Sequence, residues 1–365
     1  MREWINTILH GDCVDRMREM PDHSVDAVFA DPPYNLQLGV KTLYRPEDQS
    51  AARAVRDDWD QFESSAEYDE FTKLWLAECK RVLKPDGSMW VIGSYHNIFR
   101  VGAALQDLGF WVLNDIIWVK TNPMPNFRGT RFTNAHETLI WATPRKTGKY
   151  TFNYDTMKKF AGGKQMRSDW GIDICLGAER LKGMDGKSLH NTQKPADLLR
   201  RVILASTRAG DVILDPFFGS GTTGAVAKEL GRNWIGIEQE QSYIPAARQR
   251  IDAVRAVNLS EIEVAPKREE IRVAFAELIA GGMLRVGQTL VGKKGDRVII
   301  THDGQLAHTL LGKASIHVMA AKIQRCASFN GWDYWSAERA GGTLVPIDNL
   351  RKIAREAKTG IAKAA

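Results

Sequence analysis

The segment DVILDPFFGSGTT, residues 211–223, decides the fold of this chain. An apolar run ends at Asp215, a turn with Gly219 and Gly221 follows, and a helical pattern begins at Thr222. Glycines let a backbone turn tightly and approach a ligand closely, and a helix N-terminus offers unpaired N–H groups to a carboxylate. This strand, loop and helix therefore predict a Rossmann-like cofactor site.

Glu238 extends the pattern, because it ends the next apolar strand and follows Asp215 by 23 residues. An acidic side chain about 20 residues after a glycine-rich loop is suited to bind ribose hydroxyls. A GxG turn alone is often only a turn. The complete series indicates a cofactor that contains adenosine, and S-adenosylmethionine, which also carries a carboxylate, fits this pattern.

A second motif, Asp31-Pro32-Pro33-Tyr34, follows the apolar residues 25–30. Two consecutive prolines remove two N–H donors and leave carbonyl groups open to a ligand. The Asp31 carboxylate and the Pro32 carbonyl can accept both hydrogens of a nucleobase amine, and Tyr34 can stack on the base for about 1–3 kcal/mol. A duplex base reaches such a pocket only by flipping out. The alternative is an ordinary Asp-Pro turn, which the downstream cofactor loop disfavours.

Strands alternate with helices along most of the chain, which predicts an α/β fold with a largely parallel sheet and helices on both faces. Apolar spacing predicts a helix from Tyr68 to Leu83 that ends at residues 84–87, and Pro195 is placed at the first position of another helix. The remaining predicted elements are strands at residues 25–30, 89–93, 112–119, 211–215 and 234–238, and a helix at residues 222–230.

Two segments interrupt this alternation. Residues 41–61 are polar and charged and are predicted to form a surface loop. Residues 121–190 show little periodicity and interleave basic with aromatic residues. Such a pattern favours contact with nucleic acid through phosphates and base stacking, and a long irregular insertion is usually functional or disordered. The alternative for residues 121–190 is a surface excursion with a small aromatic core of its own.

Charge is unevenly distributed over the 365 residues. The net charge is +6, yet residues 271–365 carry 14 Lys and Arg against 7 Asp and Glu, so the rest of the chain sums to −1. A basic C-terminal module on a near-neutral body suggests an anionic partner, although a solvated basic face would look the same. The four cysteines form no CxxC pair, and no apolar run approaches a membrane span. We expect a cytoplasmic protein without a metal site.

The order of the two motifs, amine pocket first and cofactor loop last, resembles the β class of DNA amino-methyltransferases. More closely, the chain resembles the cell-cycle-regulated adenine methyltransferases of α-proteobacteria (CcrM), which modify the adenine of GANTC. The resemblance covers nearly the whole chain. It rests on residues 9–13, 31–38, 93–97, 122–127, 136–141, 190–195 and 215–223.

This resemblance implies an α/β, Rossmann-like S-adenosylmethionine-dependent methyltransferase sheet with permuted motif order in residues 1–260. It implies that Asp31, Pro32, Pro33 and Tyr34 are catalytic, and Asp at the first position favours adenine N6 over cytosine N4. It also implies a set of residues around the cofactor. These are Asp12 and Cys13 at its adenine, Lys194 and Pro195 at its methionine part, Glu238 at its ribose, and Asp215, Phe217, Gly219, Gly221 and Thr222 along the loop.

A linker at residues 261–270 and an accessory domain at residues 271–365 follow. Asn330 can read adenine, and Trp332 can stack or wedge between bases, although packing in a small core is an equal alternative for this tryptophan. The predicted contacts to DNA are Ser315, Asn330 and Trp332 for bases, and Lys313, Lys322 and Arg325 for phosphates.

The expected partners are double-stranded DNA and a second copy of the chain in a bacterial, nucleoid-associated setting, since a two-fold-related site suits a homodimer. The resemblance also implies a role in cell-cycle-linked DNA methylation. Three alternatives stay open. They are a cytosine-N4 methyltransferase, a protein-glutamine or RNA methyltransferase, in which the cofactor loop usually comes first, and a DNA-binding regulator without catalysis.

Overall fold

The structure of the protein, a computed structural model, describes residues 3–35, 43–44, 51–52, 62–126, 129–181, 189, 192–264, 273–339 and 341–364. The chain divides into two compact units, Met1–Pro266 and Lys267–Ala365. The division falls inside the predicted linker, of which residues 265–270 lie outside the described residues. The predicted surface loop at residues 41–61 also lies outside them, apart from two short paired strands.

Strands are spread along the whole of the first unit. In chain order they are β1 (Thr7–His10), β2 (Val25–Ala30), β3 (Leu43–Tyr44), β4 (Ala51–Ala52), β5 (Leu83–Gly93), β6 (Trp111–Lys120), β7 (His136–Thr143), β8 (Asp169–Ile172), β9 (Val212–Asp215) and β10 (Asn233–Glu238). Strands β3 and β4 pair with each other, and the other eight form one sheet in the order β1-β10-β9-β2-β5-β7-β6-β8.

The eight-stranded sheet is largely parallel, as the alternating sequence pattern predicts. Seven strands share one direction, and β7 runs antiparallel to both of its neighbours, β5 and β6. Parallel strands place their carboxyl ends at one edge of the sheet, which is where ligands bind in open α/β folds. We therefore expect the functional residues of the first unit at the edge formed by the carboxyl ends of the parallel strands.

The prediction of an irregular insertion at residues 121–190 is wrong for its middle part. Residues His136–Thr143 form β7 in the interior of the sheet, where Leu139 and Ala142 are fully buried. Because β7 is covered on both faces, its apolar residues run continuously and show no alternation with polar ones. A short continuous apolar run has no periodicity by which a strand can be recognised.

The helices of the first unit cover both faces of the sheet. They are α1 (Cys13–Arg18), α2 (Ser65–Val82), α3 (Ile98–Asp107), α4 (Tyr154–Phe160), α5 (Ala196–Ser206), α6 (Thr222–Glu229), α7 (Ile244–Ala253) and α8 (Leu259–Ile262). One hydrophobic core contains buried side chains of α1, α2 and α3, and a second contains those of α4, α5, α6 and α7. The sheet is thus packed between two helical layers, as predicted.

Two predicted element boundaries differ from the structure. The sequence predicts that residues 84–87 end a helix, but they belong to β5, because the sheet begins at Leu83, which pairs with Val25 of β2. Pro195 is the N-cap of α5 and not its first residue. Its ψ of 143° is extended, as is usual for a cap position, and the helix starts at Ala196.

The second unit has a sheet of six antiparallel strands in the order β14-β13-β12-β11-β15-β16. Its elements are α9 (Phe275–Ala280), β11 (Thr289–Gly292), β12 (Arg297–Ile300), β13 (Leu306–His308), β14 (Gly312–Ala314), α10 (Ile316–Gln324), α11 (Gly331–Tyr334), β15 (Trp335–Glu338), β16 (Leu344–Pro346) and α12 (Ile347–Ala364). Its core includes the buried Trp332, Tyr334 and Trp335. In the described parts of the two units, no helix is long and apolar enough to cross a membrane.

Candidate active site

The two sequence motifs meet at one edge of the eight-stranded sheet. Asp31 directly follows β2, and Asp215 ends β9, which pairs in parallel with β2. Glu238 ends β10, the neighbour of β9 on its other side. Parallel pairing thus brings together three carboxyl groups that lie far apart in the sequence, at the edge where α/β proteins bind ligands.

The glycine-rich loop between β9 and α6 needs its glycines for both conformation and space. Gly219 and Gly221 have φ angles of 52° and 73°, in the left-handed region that favours glycine. A Cβ atom at Gly221 would also lie 2.9 Å from the Cβ of Ala247. Gly221 is the N-cap of α6 and offers no capping side chain. The first N–H groups of this helix therefore stay available to a carboxylate.

Asp215 lies beneath the loop with both carboxylate oxygens engaged. The Thr223 hydroxyl donates to Oδ2 at 2.5 Å, and the Phe217 N–H donates to Oδ1 at 3.0 Å. Burial raises the pKa of the Asp215 carboxyl to about 7, against the opposing effect of these hydrogen bonds. A nearby positive charge lowers the pKa of such a carboxyl group and favours its ionised form.

Glu238 holds the loop in place through main-chain hydrogen bonds. The Gly219 N–H donates to Oε2 at 2.6 Å, and the Glu240 N–H donates to Oε1 at 2.7 Å. Burial raises the pKa of Glu238, and these N–H groups act in the opposite direction. The predicted contact of this residue with ribose stays a prediction. The structure adds a second role, because the carboxylate is hydrogen-bonded to the main chain of the turn at Gly219.

Asp12 and Cys13 follow β1, the strand next to β10. Asp12 is the N-cap of α1 and accepts hydrogen bonds from the N–H groups of Val14 and Asp15. Cys13 is buried in a hydrophobic core, and burial raises the pKa of its thiol, so the thiol stays neutral. Asp12 therefore stays a candidate for the cofactor adenine, whereas the side chain of Cys13 has a packing role.

Phe217 and Thr222 flank the loop. The half-buried ring of Phe217 packs edge-on against Trp75, with 5.2 Å between ring centres. The Thr222 hydroxyl donates to the Lys194 carbonyl at 3.3 Å and accepts from the Arg250 guanidinium at 2.7 Å. The loop is thereby joined to the segment before α5, which contains two of the predicted cofactor residues, Lys194 and Pro195.

The proline tetrad is fixed by hydrogen bonds from α2 and from the turn before α3. The Tyr68 hydroxyl donates to the Pro33 carbonyl at 2.9 Å, and the Asn97 amide lies 3.5 Å from the same oxygen. The Pro33 carbonyl therefore already has donors. This arrangement favours the Pro32 carbonyl, together with Asp31, as the acceptor pair for an incoming amine.

Lys194 lies at the tetrad as well as at the loop. Its ammonium donates to Oδ2 of Asp31 at 2.7 Å and lies 5.1 Å from the centre of the Tyr34 ring. The sequence resemblance places this residue at the methionine part of the cofactor. In the structure the main chain of Lys194 contacts the loop, but its charged group pairs with the first residue of the tetrad.

Glu137 is the main residue that the sequence pattern does not reveal. It lies in β7, accepts a hydrogen bond from the Tyr34 hydroxyl at 2.9 Å, and pairs with the Lys120 ammonium at 2.7 Å. Burial raises its pKa, but Lys194 and Lys120 lower it more strongly, so Glu137 is ionised. The signals in the sequence are its place in segment 136–141, one of those that carry the resemblance, and its position just before the apolar residues 139–142.

The predicted DNA-contact residues of the second unit have mixed environments. Ser315 and Asn330 cap α10 and α11 by accepting main-chain N–H groups. Trp332 is only 7% exposed, packs edge-on against Phe275, and has the Arg351 guanidinium 4.5 Å from its ring centre. The prediction that Trp332 stacks on bases is therefore not supported by its position, because a core residue cannot reach a base without leaving the core.

The three predicted phosphate contacts, Lys313, Lys322 and Arg325, lie at the surface of the second unit. The Lys322 ammonium donates to the Leu311 carbonyl at 3.1 Å, and Arg325 is the C-cap that follows α10, with a φ of 56°. Their surface positions are compatible with phosphate binding, which stays a prediction. In the described residues, no group of three or more His, Cys, Asp or Glu is placed to hold a metal ion.

Comparison with known proteins places this geometry in a family. A family model described as DNA methylase, of the N6/N4 methyltransferase group, matches residues 25–249. The type II methyltransferase M.HinfI of Haemophilus influenzae is 48% identical over 359 residues, which cover 96% of this chain and 97% of that protein. The type II methyltransferase M2.DpnII of Streptococcus pneumoniae is 44% identical over 255 residues, covering 69% and 91% of the two chains.

Solved structures of methyltransferases are similar to this chain over about two thirds of its length. The complex of M1.HpyAVI with S-adenosylmethionine (SAM) matches with a TM-score of 0.50 and 29% identity, covering 67% of this chain and 98% of that one. The cytosine-N4-specific PvuII DNA methyltransferase matches with a TM-score of 0.53 and 22% identity, covering 70% and 89%. The second similarity concerns the fold alone.

Proposed function

The chain belongs to the N6/N4 DNA methylase family, and from this premise we propose that it methylates the N6 amine of adenine in double-stranded DNA. The predicted enzyme class, fold class and cofactor are confirmed: the protein is a DNA methyltransferase with an α/β methyltransferase sheet, and it uses S-adenosylmethionine. The choice of base, the recognition sequence and the roles of individual residues belong to the proposal.

The residues along β9 and β10 fit this cofactor. Free N–H groups at the start of α6 suit its carboxylate, and the buried Asp215 suits its positive charges. Glu238, with Asp12 at the neighbouring strand end, offers acceptors for ribose and adenine. When bound, S-adenosylmethionine supplies a methyl group on a positively charged sulfur.

The tetrad orients the target amine. Asp31 accepts one N–H hydrogen and the Pro32 carbonyl accepts the other, which turns the nitrogen lone pair away from conjugation with the ring. Tyr34, held by its hydroxyl on Glu137, presents its ring to the flipped base. The reaction is a direct displacement, so these residues contribute orientation and electrostatics and form no covalent intermediate.

Adenine is favoured over cytosine by the acidic first residue of the tetrad. A carboxylate at Asp31 carries this assignment, because in the class that the chain resembles, Asp at this position usually accompanies adenine N6 and Ser accompanies cytosine N4. Cytosine N4 is the second candidate, since a cytosine-N4-specific enzyme has the same fold. The resemblance to the cell-cycle-regulated group supports GANTC as the recognition sequence and a role in cell-cycle-linked methylation.

The second unit is proposed to bind duplex DNA, because its sequence from residue 271 onward carries a net charge of +7 through 14 basic and 7 acidic residues. We also propose a homodimer, since the two half-sites of a duplex sequence are related by two-fold symmetry. Lys313, Lys322 and Arg325 are the candidate phosphate contacts.

The test uses S-adenosylmethionine with a labelled methyl group and two duplexes that differ only at the adenine of GANTC. After digestion, the labelled nucleosides are identified by mass. We expect labelled N6-methyladenine from the GANTC duplex alone. Labelled N4-methylcytosine would refute the adenine assignment, and equal labelling of adenine in both duplexes would refute the GANTC assignment.

A further inference from the structure

The amine pocket contains an ammonium group between two carboxylates. Lys194 has a side chain that is only 7% exposed, and its Nζ lies 2.7 Å from Oδ2 of Asp31 and 4.0 Å from Oε2 of Glu137. The same atom lies 5.1 Å from the centre of the Tyr34 ring. Lys194 thus contacts the charged residue of the tetrad, its aromatic residue and the carboxylate that anchors the aromatic residue.

Further charged groups surround this lysine. Glu137 pairs with Lys120 through Oε1 at 2.7 Å, with both side chains nearly buried, and accepts from Tyr34 through Oε2. Two ammonium groups therefore face two carboxylates, Asp31 and Glu137, in a pocket with little solvent. Asp215, at the end of β9, is a third carboxyl group that acts on this set: it helps to raise the pKa of Lys194, and Asp31 helps to raise the pKa of Asp215. Removing one member of such a set leaves a buried charge without a partner, which is costly.

Lys194 acts in this set as a permanent positive charge. Burial lowers its pKa, but Asp31 and Glu137 raise it more, so the amine stays protonated and cannot serve as a base. Burial raises the pKa of Asp31, and the main opposing effect comes from Lys194. The ionised form of Asp31, which the target amine needs as an acceptor, therefore depends on this lysine.

One oxygen of Asp31 is left without a donor. Lys194 occupies Oδ2, whereas Oδ1 is buried and has no hydrogen-bond partner among the described residues. The neighbouring Tyr34 hydroxyl helps to lower the pKa of Asp31, but its hydrogen is donated to Oε2 of Glu137 at 2.9 Å. A buried acceptor without a donor costs free energy and calls for an explanation. The explanation that we infer is that the missing donor is the amine of the target base, which enters the pocket only when DNA is bound.

We propose that Lys194 is a positioning residue for methyl transfer, which holds Asp31 by Oδ2 so that Oδ1 is kept for the target amine. This inference rests on the proposed function and deepens it. It moves the charged group of Lys194 from the cofactor's methionine part, where the sequence resemblance places it, to the base pocket. The two assignments predict different losses when the charge is removed.

The first experiment compares Lys194→Met and Lys194→Arg with the wild type. It measures kcat against pH with saturating DNA and cofactor, and cofactor Kd by calorimetry. For Lys194→Met we expect kcat to fall about 100-fold, its acidic limb to move to higher pH, and cofactor Kd to stay at the wild-type value. Lys194→Arg should restore the wild-type position of the acidic limb, because it restores the charge.

Lys228→Met is the matched control, since this lysine lies in the last turn of α6, donates to the Ile251 carbonyl of α7 at 2.7 Å and takes no part in the pocket. It should leave kcat, the pH profile and cofactor Kd unchanged. A higher cofactor Kd in Lys194→Met, with an acidic limb at the wild-type pH, would overturn the inference. It would support the assignment of the ammonium group to the cofactor site.

A second experiment needs no catalytic activity. Melting temperatures are measured for Lys194→Met, Asp31→Asn and the double variant. We expect each single change to lower Tm and the double variant to lose less than the sum, because the two groups are paired. Additive losses would overturn the pairing. An inactive wild type with a non-additive cycle would refute the proposed function and leave the Lys194–Asp31 pair standing.

Discussion

Replacing Glu238 by Gln tests the cofactor loop with a minimal change of shape. In the structure both carboxylate oxygens of Glu238 accept main-chain N–H groups, at 2.6 Å from Gly219 and 2.7 Å from Glu240. A glutamine retains one acceptor oxygen and presents an NH2 group in place of the other. The variant therefore loses one hydrogen bond to a charged group and gains a repulsive contact between two donors.

The expected magnitude follows from that single lost interaction. A hydrogen bond to a charged group contributes about 1.5–3 kcal/mol, which corresponds to about 10- to 150-fold in an equilibrium constant. Because Gly219 belongs to the turn that precedes α6, we expect Glu238→Gln to weaken S-adenosylmethionine binding by this factor. Isothermal titration calorimetry on the full-length protein measures the change, and circular dichroism checks that the fold is kept.

Glu240→Gln is the matched control for this measurement. Glu240 lies two residues further along the same segment, is exposed, and accepts a hydrogen bond from the Ser242 N–H outside the loop. The Glu240→Gln protein should bind the cofactor with the wild-type Kd. A folded Glu238→Gln protein with wild-type affinity for the cofactor would refute the argument that this carboxylate holds the loop.

Three further predictions concern the tetrad, the loop acid and the second unit. Asp31→Ala should abolish methyl transfer in the labelled-methyl assay and leave cofactor Kd unchanged; a lost affinity would contradict this division of roles. Because the pKa of Asp215 is about 7 and the cofactor's positive charges favour the ionised form, cofactor affinity should weaken as pH falls through 7, by at most about tenfold per unit. Asp215→Asn should abolish that dependence, and a slope that persists would contradict it. Trp332→Ala should cost about 3–5 kcal/mol of stability in urea unfolding, and an unchanged midpoint with selectively weakened DNA binding would return this tryptophan to the DNA surface.

The two motifs can be recognised from the sequence because each is contiguous. In residues 31–34 and 215–223, proline and glycine fix the backbone locally, and the adjoining apolar runs identify the strands that precede them. The parallel sheet follows from the same alternation of strands and helices. Parallel pairing of β2 with β9 then brings both motifs to one edge, and the sequence order alone does not show this pairing.

The charge set around Tyr34 cannot be predicted in the same way. Glu137 lies 103 residues after Tyr34, and Lys194 lies 163 residues after Asp31. The contact of Glu137 arises because β7 enters the sheet beside β5, and β7 shows no periodicity since both of its faces are buried. Lys194 reaches the pocket from the segment before α5. Only the three-dimensional structure shows that Glu137 accepts a hydrogen bond from the Tyr34 hydroxyl.

Trp332 is a residue for which the sequence pattern suggests a contact with DNA that its buried position does not support. An aromatic cluster in a basic module looks like a base-stacking surface, but the same residues form the core of a small unit, where Trp332, Tyr334 and Trp335 are all buried. Small domains need large aromatic side chains to bury enough apolar area. The excess of basic residues identifies the module in the sequence, but only the structure shows which of its side chains are exposed.

The most direct test of adenine-N6 methylation determines the atom that receives the methyl group. A GANTC duplex with 15N at the exocyclic amine of its adenine is incubated with the wild-type protein and S-adenosylmethionine carrying a 13C methyl group. We expect a one-bond 13C–15N coupling in the product nucleoside, because the new bond is to N6. A 13C methyl group on cytosine N4, with no coupling at adenine, would contradict the proposed choice of base.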